Sequence, residues 1–581
     1  MKRGKIIGLA GILICCLLSF RANGQSMPQN ACDSIFMKAL HDELQRSMDS
    51  LEDPESGKPC FISYSLLNGV LTNAEAVLGA LTGSSSADVG DWFLRLMMGS
   101  YERNDENFVD PLASPDRQNQ FEMPCPVEPD YWNIRKAFWW NTDNLFRSAA
   151  KIYKNKINAI REFPLDEMTE KLPDYTREQG IRISYPGSVI TFPRKQTDYL
   201  VKELSAVFRN VQGIHTSEAS LTALSSTVYI VNSEGSEIRI PLNLCLVTIT
   251  VQAKAYDEEI LSDNLSFLAP LVSSLPPLDT MKQAALKLGQ YMLELKNAPV
   301  SGEKYYGPVL LYNQAVSGAF LSALFDPENS LIASREPLVY STKKSMVPRE
   351  KAAFENKLGK RILSKNLSVT ALPGLEEYDG ITLLGNVKVD AEGVVPPEEI
   401  DLVEDGILKN LLSDRVPTPK VMHSNGHHRM GVRMGSFTFQ IAPSVIKIST
   451  VSPYSHDDLL KQLTSLAHEK GLEYAFILKP LVSSASYSPL CYYRLEIDSG
   501  KETLVRPLLL NPVSMNDLNK NPCMSDNEYV SNVLYGSLSR YGSTVLDGVP
   551  ISMILPDAMV LEEVTLNVSA GNSGYGMPEL E

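Results

Sequence analysis

Two hydrophobic periods alternate along this chain. Residues 33–51, DSIFMKALHDELQRSMDSL, carry apolar side chains at a spacing of three and four and predict a helix. Residues 59–81, PCFISYSLLNGVLTNAEAVLGAL, predict two strands folded about Asn68-Gly69, a hairpin signal, although the Ala- and Leu-rich second half fits a helix equally well. Five prolines between Asn104 and Tyr131 predict an extended loop. Residues 131–160, YWNIRKAFWWNTDNLFRSAAKIYKNKINAI, predict a long amphipathic helix whose aromatics, Trp132, Phe138, Trp139 and Trp140, are expected in the core. Two β-rich runs then flank the turn cluster Asn232-Ser233-Glu234-Gly235. A helix over LDTMKQAALKLGQYMLELKNAP stops before Pro299. Beyond it the pattern is richer in strands (FTFQIAPSVIKISTV, CYYRLEIDSGKETLVRPLLL, MVLEEVTLNVS), interrupted by one helix, SHDDLLKQLTSLAHEKG. The class is α+β. A domain boundary is expected near residue 298, dividing an N-terminal α+β domain, 25–298, from a strand-rich C-terminal domain, 299–581.

The first residues follow another logic. Lys2, Arg3 and Lys5 precede an apolar run from Ile6 to Phe20, and Ala22 and Gly24 have the small-residue spacing of a cleavage site. Residues 1–24 read as a secretory signal peptide. The apolar run is short for a spanning helix, and Ile14 before Cys15 disfavours a lipid anchor. The expectation is an exported protein, periplasmic or extracellular, with no stable membrane insertion after cleavage. Cleavage removes four basic residues and no acidic ones, so the formal charge falls from −15 to −19. That balance argues against a nucleic-acid partner. Cys32, Cys60, Cys125, Cys245, Cys491 and Cys523 remain, an even set in an exported chain. Disulfides are allowed but no pairing is selected, and buried thiols are the alternative. The chain has no CxxC, no GxSxG elbow and no P-loop.

Residues 307–320, GPVLLYNQAVSGAF, form a strand-to-helix junction of the kind that carries catalytic groups, here with the amide pair Asn313-Gln314. The same stretch is one of several, in order, that resemble the TldD/PmbA family. The others are YIVNSEGSEIR, LGKRILSKNLSV, DAEG (Asp390–Gly393), LVEDGILKNLLSDRVP, SNGHHRMG and LPDAMVLEEVTL. They extend from Tyr229 to Leu566, and the first 200 residues contribute none. The family was once described as modulators of DNA gyrase and is regarded as metallopeptidase-related. The resemblance implies a two-domain α+β fold. It also implies pairing of a zinc-bearing subunit, whose helix carries HExxxH with a further Cys ligand near the C-terminus, and a zinc-free subunit, together degrading or trimming peptides.

Placed on this chain, the family motif sets its first His at Asn313, its Glu at Gln314 and its second His at Gly318. An amide oxygen is a poor zinc donor, glycine has nothing to donate, and an amide is no base near neutral pH. No metal, no cofactor and no catalytic residue is therefore expected. Asn425, His427 and Arg429 of the SNGHHRMG phrase are candidates for a peptide-binding cleft. His423, His427 and His428 lie together but in turn chemistry. The His468-Glu469 pair lacks a second His and reads as a solvated helix face. The expected function is that of an exported, non-catalytic subunit working on peptides with a zinc-bearing TldD-like partner. The alternative is an independent binding protein or structural homo-oligomer that kept the fold, and a peptidase with a different site is a third reading. An extracytoplasmic location leaves gyrase in another compartment.

Overall fold

The computed structural model describes residues 29–109, 124–185, 187, 189–190, 192–255, 259–301, 303–326, 329–341, 345–348, 354–433, 436–536 and 545–568. The segment read as a signal peptide, and residues 110–123 of the proline-rich stretch, lie outside these. The class is α+β. The described residues begin with helix α1 (Gln29–Ser50), then the strands β1 (Pro59–Val77) and β2 (Ala80–Met98). Helix α2 (Tyr131–Glu162), strand β3 (Arg182–Ser184) and helix α3 (Arg194–Ser205) follow, then β4 (Ile214–Asn232), β5 (Glu237–Lys254), β6 (Ile260–Ala269) and helix α4 (Leu278–Leu295). These strands make one sheet in the order β2-β1-β4-β5-β3, with β6 also on β5.

Alternation along these long strands sorts the side chains. Ile62, Tyr64 and Leu66 of β1, with Trp92, Leu94 and Leu96 of β2, face Phe36 and Leu40 of α1 and Ile134 and Phe138 of α2. Farther along the sheet, Leu221 and Ala223 of β4, Val247 and Ile249 of β5, and Leu265 and Phe267 of β6 are covered by α3 and α4.

Two expectations fail here. The chain does not turn at Asn68-Gly69. β1 runs straight through, Gly69 pairs with both Val89 and Ser226, and the hairpin closes at Leu78-Gly79, both at positive φ (47° and 82°). Gly69 serves close strand approach instead: a Cβ there would lie 2.4 Å from the Ser225 carbonyl oxygen. The tryptophans of α2 are not core. Ile134, Phe138, Phe146 and Ala149 fill the inward stripe, so Trp132 is 71% exposed and Trp139 and Trp140 41% each. The Asn232–Gly235 turn forms as expected, with the Asn232 Oδ1 accepting from the amides of Glu234 and Ser236.

The rest of the chain holds β7 (Tyr305–Tyr312), helix α5 (Gln314–Leu324), β8 (Leu367–Ala371), β9 (Ile400–Glu404), β10 (His428–Arg433), β11 (Val445–Thr450) and helix α6 (His456–Glu469). Then come β12 (Tyr474–Pro480), β13 (Leu490–Glu496), β14 (Glu528–Tyr535), β15 (Val549–Pro556) and β16 (Ala558–Asn567). One sheet runs β9-β8-β11-β15-β14 and a second β13-β12-β7-β16, each extended by short strands. Their facing sides, with α5 between, enclose the largest core, including Val309, Leu311, Phe320, Ile446, Ile448, Phe476, Met553 and Leu555. Helix α6 covers the other face of the second of these sheets through Leu459, Leu463 and Ala467. His468 and Glu469 are exposed. Cys60, Cys125, Cys245, Cys491 and Cys523 are thiols, and burial pushes those of Cys60, Cys245 and Cys491 up to about 12. Among the described residues no helix is long and apolar enough to cross a membrane.

Asp174 binds the early segments to the later ones. Its carboxylate accepts from the fully buried Lys156 ammonium of α2 at 2.7 Å and the Asn104 amide at 2.9 Å, and it pairs with Arg335 at 3.2 Å. Burial holds the Lys156 ammonium down to about 8 against the pull of Asp174. Asp174→Asn leaves that charge buried without its counter-ion, and an expected loss of about 3–5 kcal/mol in urea unfolding follows. A loss below about 1 kcal/mol would show that Lys156 is satisfied elsewhere.

Candidate functional site

β7 ends at Tyr312 and α5 begins at Gln314, so Asn313 makes the whole turn. It does so at φ 47°, ψ −109°, a conformation that costs a non-glycine residue about 1–3 kcal/mol. The surroundings hold it there. The Asn313 amide donates to the Asp557 carbonyl at 2.6 Å, and its own carbonyl accepts from the amides of Val316 and Ser317.

The Gln314 side chain bonds twice to Ser488. Its Oε1 accepts from the Ser488 amide at 2.8 Å and its Nε2 donates to the Ser488 carbonyl at 3.1 Å. This is a two-point bond to backbone that a carboxamide makes and an ionised carboxylate cannot, since it has no donor. Gly318 lies one turn on, and a Cβ built there meets nothing within 4 Å. It fronts a cavity of about 330 Å³ lined also by Asp263, Ser266, Leu321, Tyr487 and Leu508.

The junction is a strained strand-to-helix turn, and its side chains do not fit zinc. Asn313 offers a neutral amide, Gln314 is committed to Ser488, and Gly318 has no donor. Cys491 is buried in the core beneath α4 and Cys523 packs near the α6 core, so neither completes a ligand set here.

The remaining motifs converge elsewhere. Glu392 (from DAEG), Asp414 and Arg415 (from SDRVP), His428 (from SNGHHRMG) and Glu234 (from NSEG) meet in one buried ionic cluster. Arg415 pairs with Glu234 at 2.6 Å and donates its backbone amide to Glu392 at 2.9 Å. Arg95 of β2 pairs with Glu392 and, at 2.7 Å, with Glu106. Both guanidiniums lie over the buried Tyr175 ring, Arg95 at 4.4 Å and Arg415 at 4.3 Å from its centroid. His428 Nδ1 sits 3.6 Å from Asp414 and 3.9 Å from Glu392. Arg95 and Tyr175 lie where the sequence shows no motif, and no local signal could have found them.

Among the described residues Glu392, Asp414 and His428 are the group close enough to share a metal ion. Both Glu392 oxygens accept, from Arg95 and from the Arg415 amide, and the His428 ring lies between the Glu392 and Asp414 carboxylates at ion-pair rather than hydrogen-bond distance. Burial disfavours the charged ring, but Glu392 and Asp414 outweigh it and hold His428 up at about 9. Its neighbour goes the other way. Burial and the Arg429 charge push His427 down to about 3.

The three cleft candidates are placed inside this framework. His427 is wholly buried, with Nε2 at 3.1 Å from the Ser444 hydroxyl and Nδ1 at 3.0 Å from Asn425. Arg429 donates to the Pro443 and Pro550 carbonyls at 2.6 and 3.0 Å. Asn425 donates to the Leu411 carbonyl and accepts from the Ser413 amide. Their polar groups hold backbone together.

Two measurements test these assignments. Gln314→Glu sets an ionised acceptor against the Ser488 carbonyl. It is expected to lower stability by about 1–3 kcal/mol at pH 7 and by less below about pH 4, where the new carboxyl can donate. An unchanged melting temperature at pH 7 would show the clamp to be unimportant. Because His428 is raised in the fold, its contribution is complete below the unfolded value of about 6.5 and is lost as pH rises through about 9. The wild type should lose on the order of 3 kcal/mol over that window relative to His428→Gln, and parallel curves would contradict the ion pairing.

Comparison with known proteins agrees with the sheet architecture. No curated protein matches. The fold is similar to that of a proposed modulator of a DNA gyrase from Thermotoga maritima, at 14% identity over 87% of this chain and 96% of that one, with a TM-score of 0.51. It is similar also to TldE from Thermococcus kodakarensis, at 12% identity over 91% of this chain and all of that one, with the same TM-score of 0.51. Residues 318–466, from Gly318 of α5 into α6, match the family model of the PmbA/TldA metallopeptidase C-terminal domain, so this part of the chain is similar to that domain.

Proposed function

We propose that this chain is the exported, zinc-free subunit of a peptide-processing pair, shaping a peptide-binding cavity for a zinc-bearing relative. The observation that carries the reading is the clamp between Gln314 and Ser488. At the position where the family motif has its catalytic Glu, this fold uses a carboxamide that a carboxylate cannot replace. The adjoining strained elbow and the open space at Gly318 keep the shape of the site without its chemistry. A chain that retains the cavity and the family fold while lacking ligands is suited to binding and presenting peptide rather than cleaving it.

The charged N-terminus followed by an apolar run supports export, with residues 1–24 removed and the mature chain in the periplasm or outside the cell. Pairing with a zinc-bearing subunit follows from the family resemblance.

Tagged chain purified from its native host is expected to bring down a signal-bearing relative with an intact HExxxH. The purified chain alone should hold no stoichiometric zinc and cleave no peptide. Chelator-sensitive cleavage by the purified chain would overturn the reading. A symmetric homo-oligomer recovered with no metallopeptidase would replace it by an independent binding or structural role.

A further inference from the structure

The cavity beside α5 is walled mainly by carbon, with Leu246, Leu268, Leu321, Leu490 and Val513 among its lining residues. Into that wall β6 sets one carboxylate, Asp263. Asp263 Oδ1 accepts from the Asn264 amide at 2.9 Å, and among the described residues no basic side chain pairs with it. The groups whose titration feels its charge are Tyr291, Tyr487 and Cys491, none of which can neutralise a carboxylate. Burial raises Asp263 to about 7, with only the Asn264 amide opposing. An acid facing an apolar cavity with one hydrogen bond is an unfavourable way to finish an edge strand, and Ser or Asn would fill the same place without a charge to desolvate. A ligand cation removes that cost. At about 330 Å³ the cavity is at the small end of ligand pockets and suits one or two side chains rather than a folded partner. Gly318 leaves the facing side open.

We propose that this cavity binds the ammonium group of an apolar peptide, with Asp263 as its counter-ion and the leucine wall holding the flanking side chains. This rests on the reading of the chain as a peptide-binding subunit and names the chemistry of what it binds. The ammonium can come from a peptide N-terminus or from a lysine side chain.

Calorimetry on the mature wild-type chain at pH 7.5 separates the cases with three probes: Leu-Leu-Leu-amide, its N-acetylated form, and N-acetyl-Leu-Leu-Lys-amide. At least one of the two ammonium-bearing probes is expected to bind tenfold or more tighter than the acetylated trileucine, as a buried charged hydrogen bond warrants. Which of the two does so identifies the source. Asp263→Asn is expected to bring all three within about twofold of one another. The acetylation contrast on the wild type decides the matter even if that variant folds poorly. Equal binding of all three probes to the wild type would overturn the ammonium assignment and leave the peptide-binding reading standing. No binding of any probe would overturn both.

Discussion

The buried ionic cluster around Tyr175 is the constraint on which the rest of the molecule depends. It joins β2 through Arg95, the β4–β5 turn through Glu234, and the later loops through Glu392, Asp414 and Arg415. Charges this deep are costly to desolvate, and here ion pairs and charged hydrogen bonds offset that cost. Register is thereby specified: a shift of the β4–β5 hairpin or of the 390–393 turn would strand a charge. Asp174 acts on the same principle a few residues away, binding Lys156 of α2 and Arg335 together. Apolar packing between the same early and later segments, where Leu67 and Val228 meet Val389 and Val432, adds area, whereas the ionic cluster adds uniqueness.

The elbow at Asn313 is held by its own neighbours. A non-glycine residue at φ 47°, ψ −109° persists only where neighbours over-determine it. Here β7 is fixed between β12 and β16, and the Gln314 side chain is bonded to the segment before β13. The strain and the cavity survive together although the junction has no group to activate water. Asp263 is the one carboxylate among the residues lining the cavity, whose wall is mainly apolar.

The family motifs have two separate meanings in space. GPVLLYNQAVSGAF makes the elbow and one side of the cavity. NSEG, DAEG, SDRVP and SNGHHRMG make the ionic cluster and the backbone scaffold around His427, Asn425 and Arg429. Residues that look like ligands in a line of sequence, three histidines within six positions, are divided by the fold into a neutral core ring, a charged ion-paired ring and a loop position.

Sequence alone determined the periodicities that place β4, β5, α2, α4 and α6, because alternation and helical spacing are local consequences of backbone geometry. It also determined which donor atoms stand at Asn313, Gln314 and Gly318, because donors are a property of residue type: two neutral amides and a residue with no side chain. Tertiary structure decided the rest. Only strand pairing shows that Gly69 is needed for close approach to Ser225 rather than for a turn, and only the packing of α2 shows its tryptophans facing solvent. Only the fold brings Gln314 to Ser488 or Arg95 to Glu392. These contacts join residues 174 and 297 positions apart, and local propensity carries no information about partners so distant along the chain.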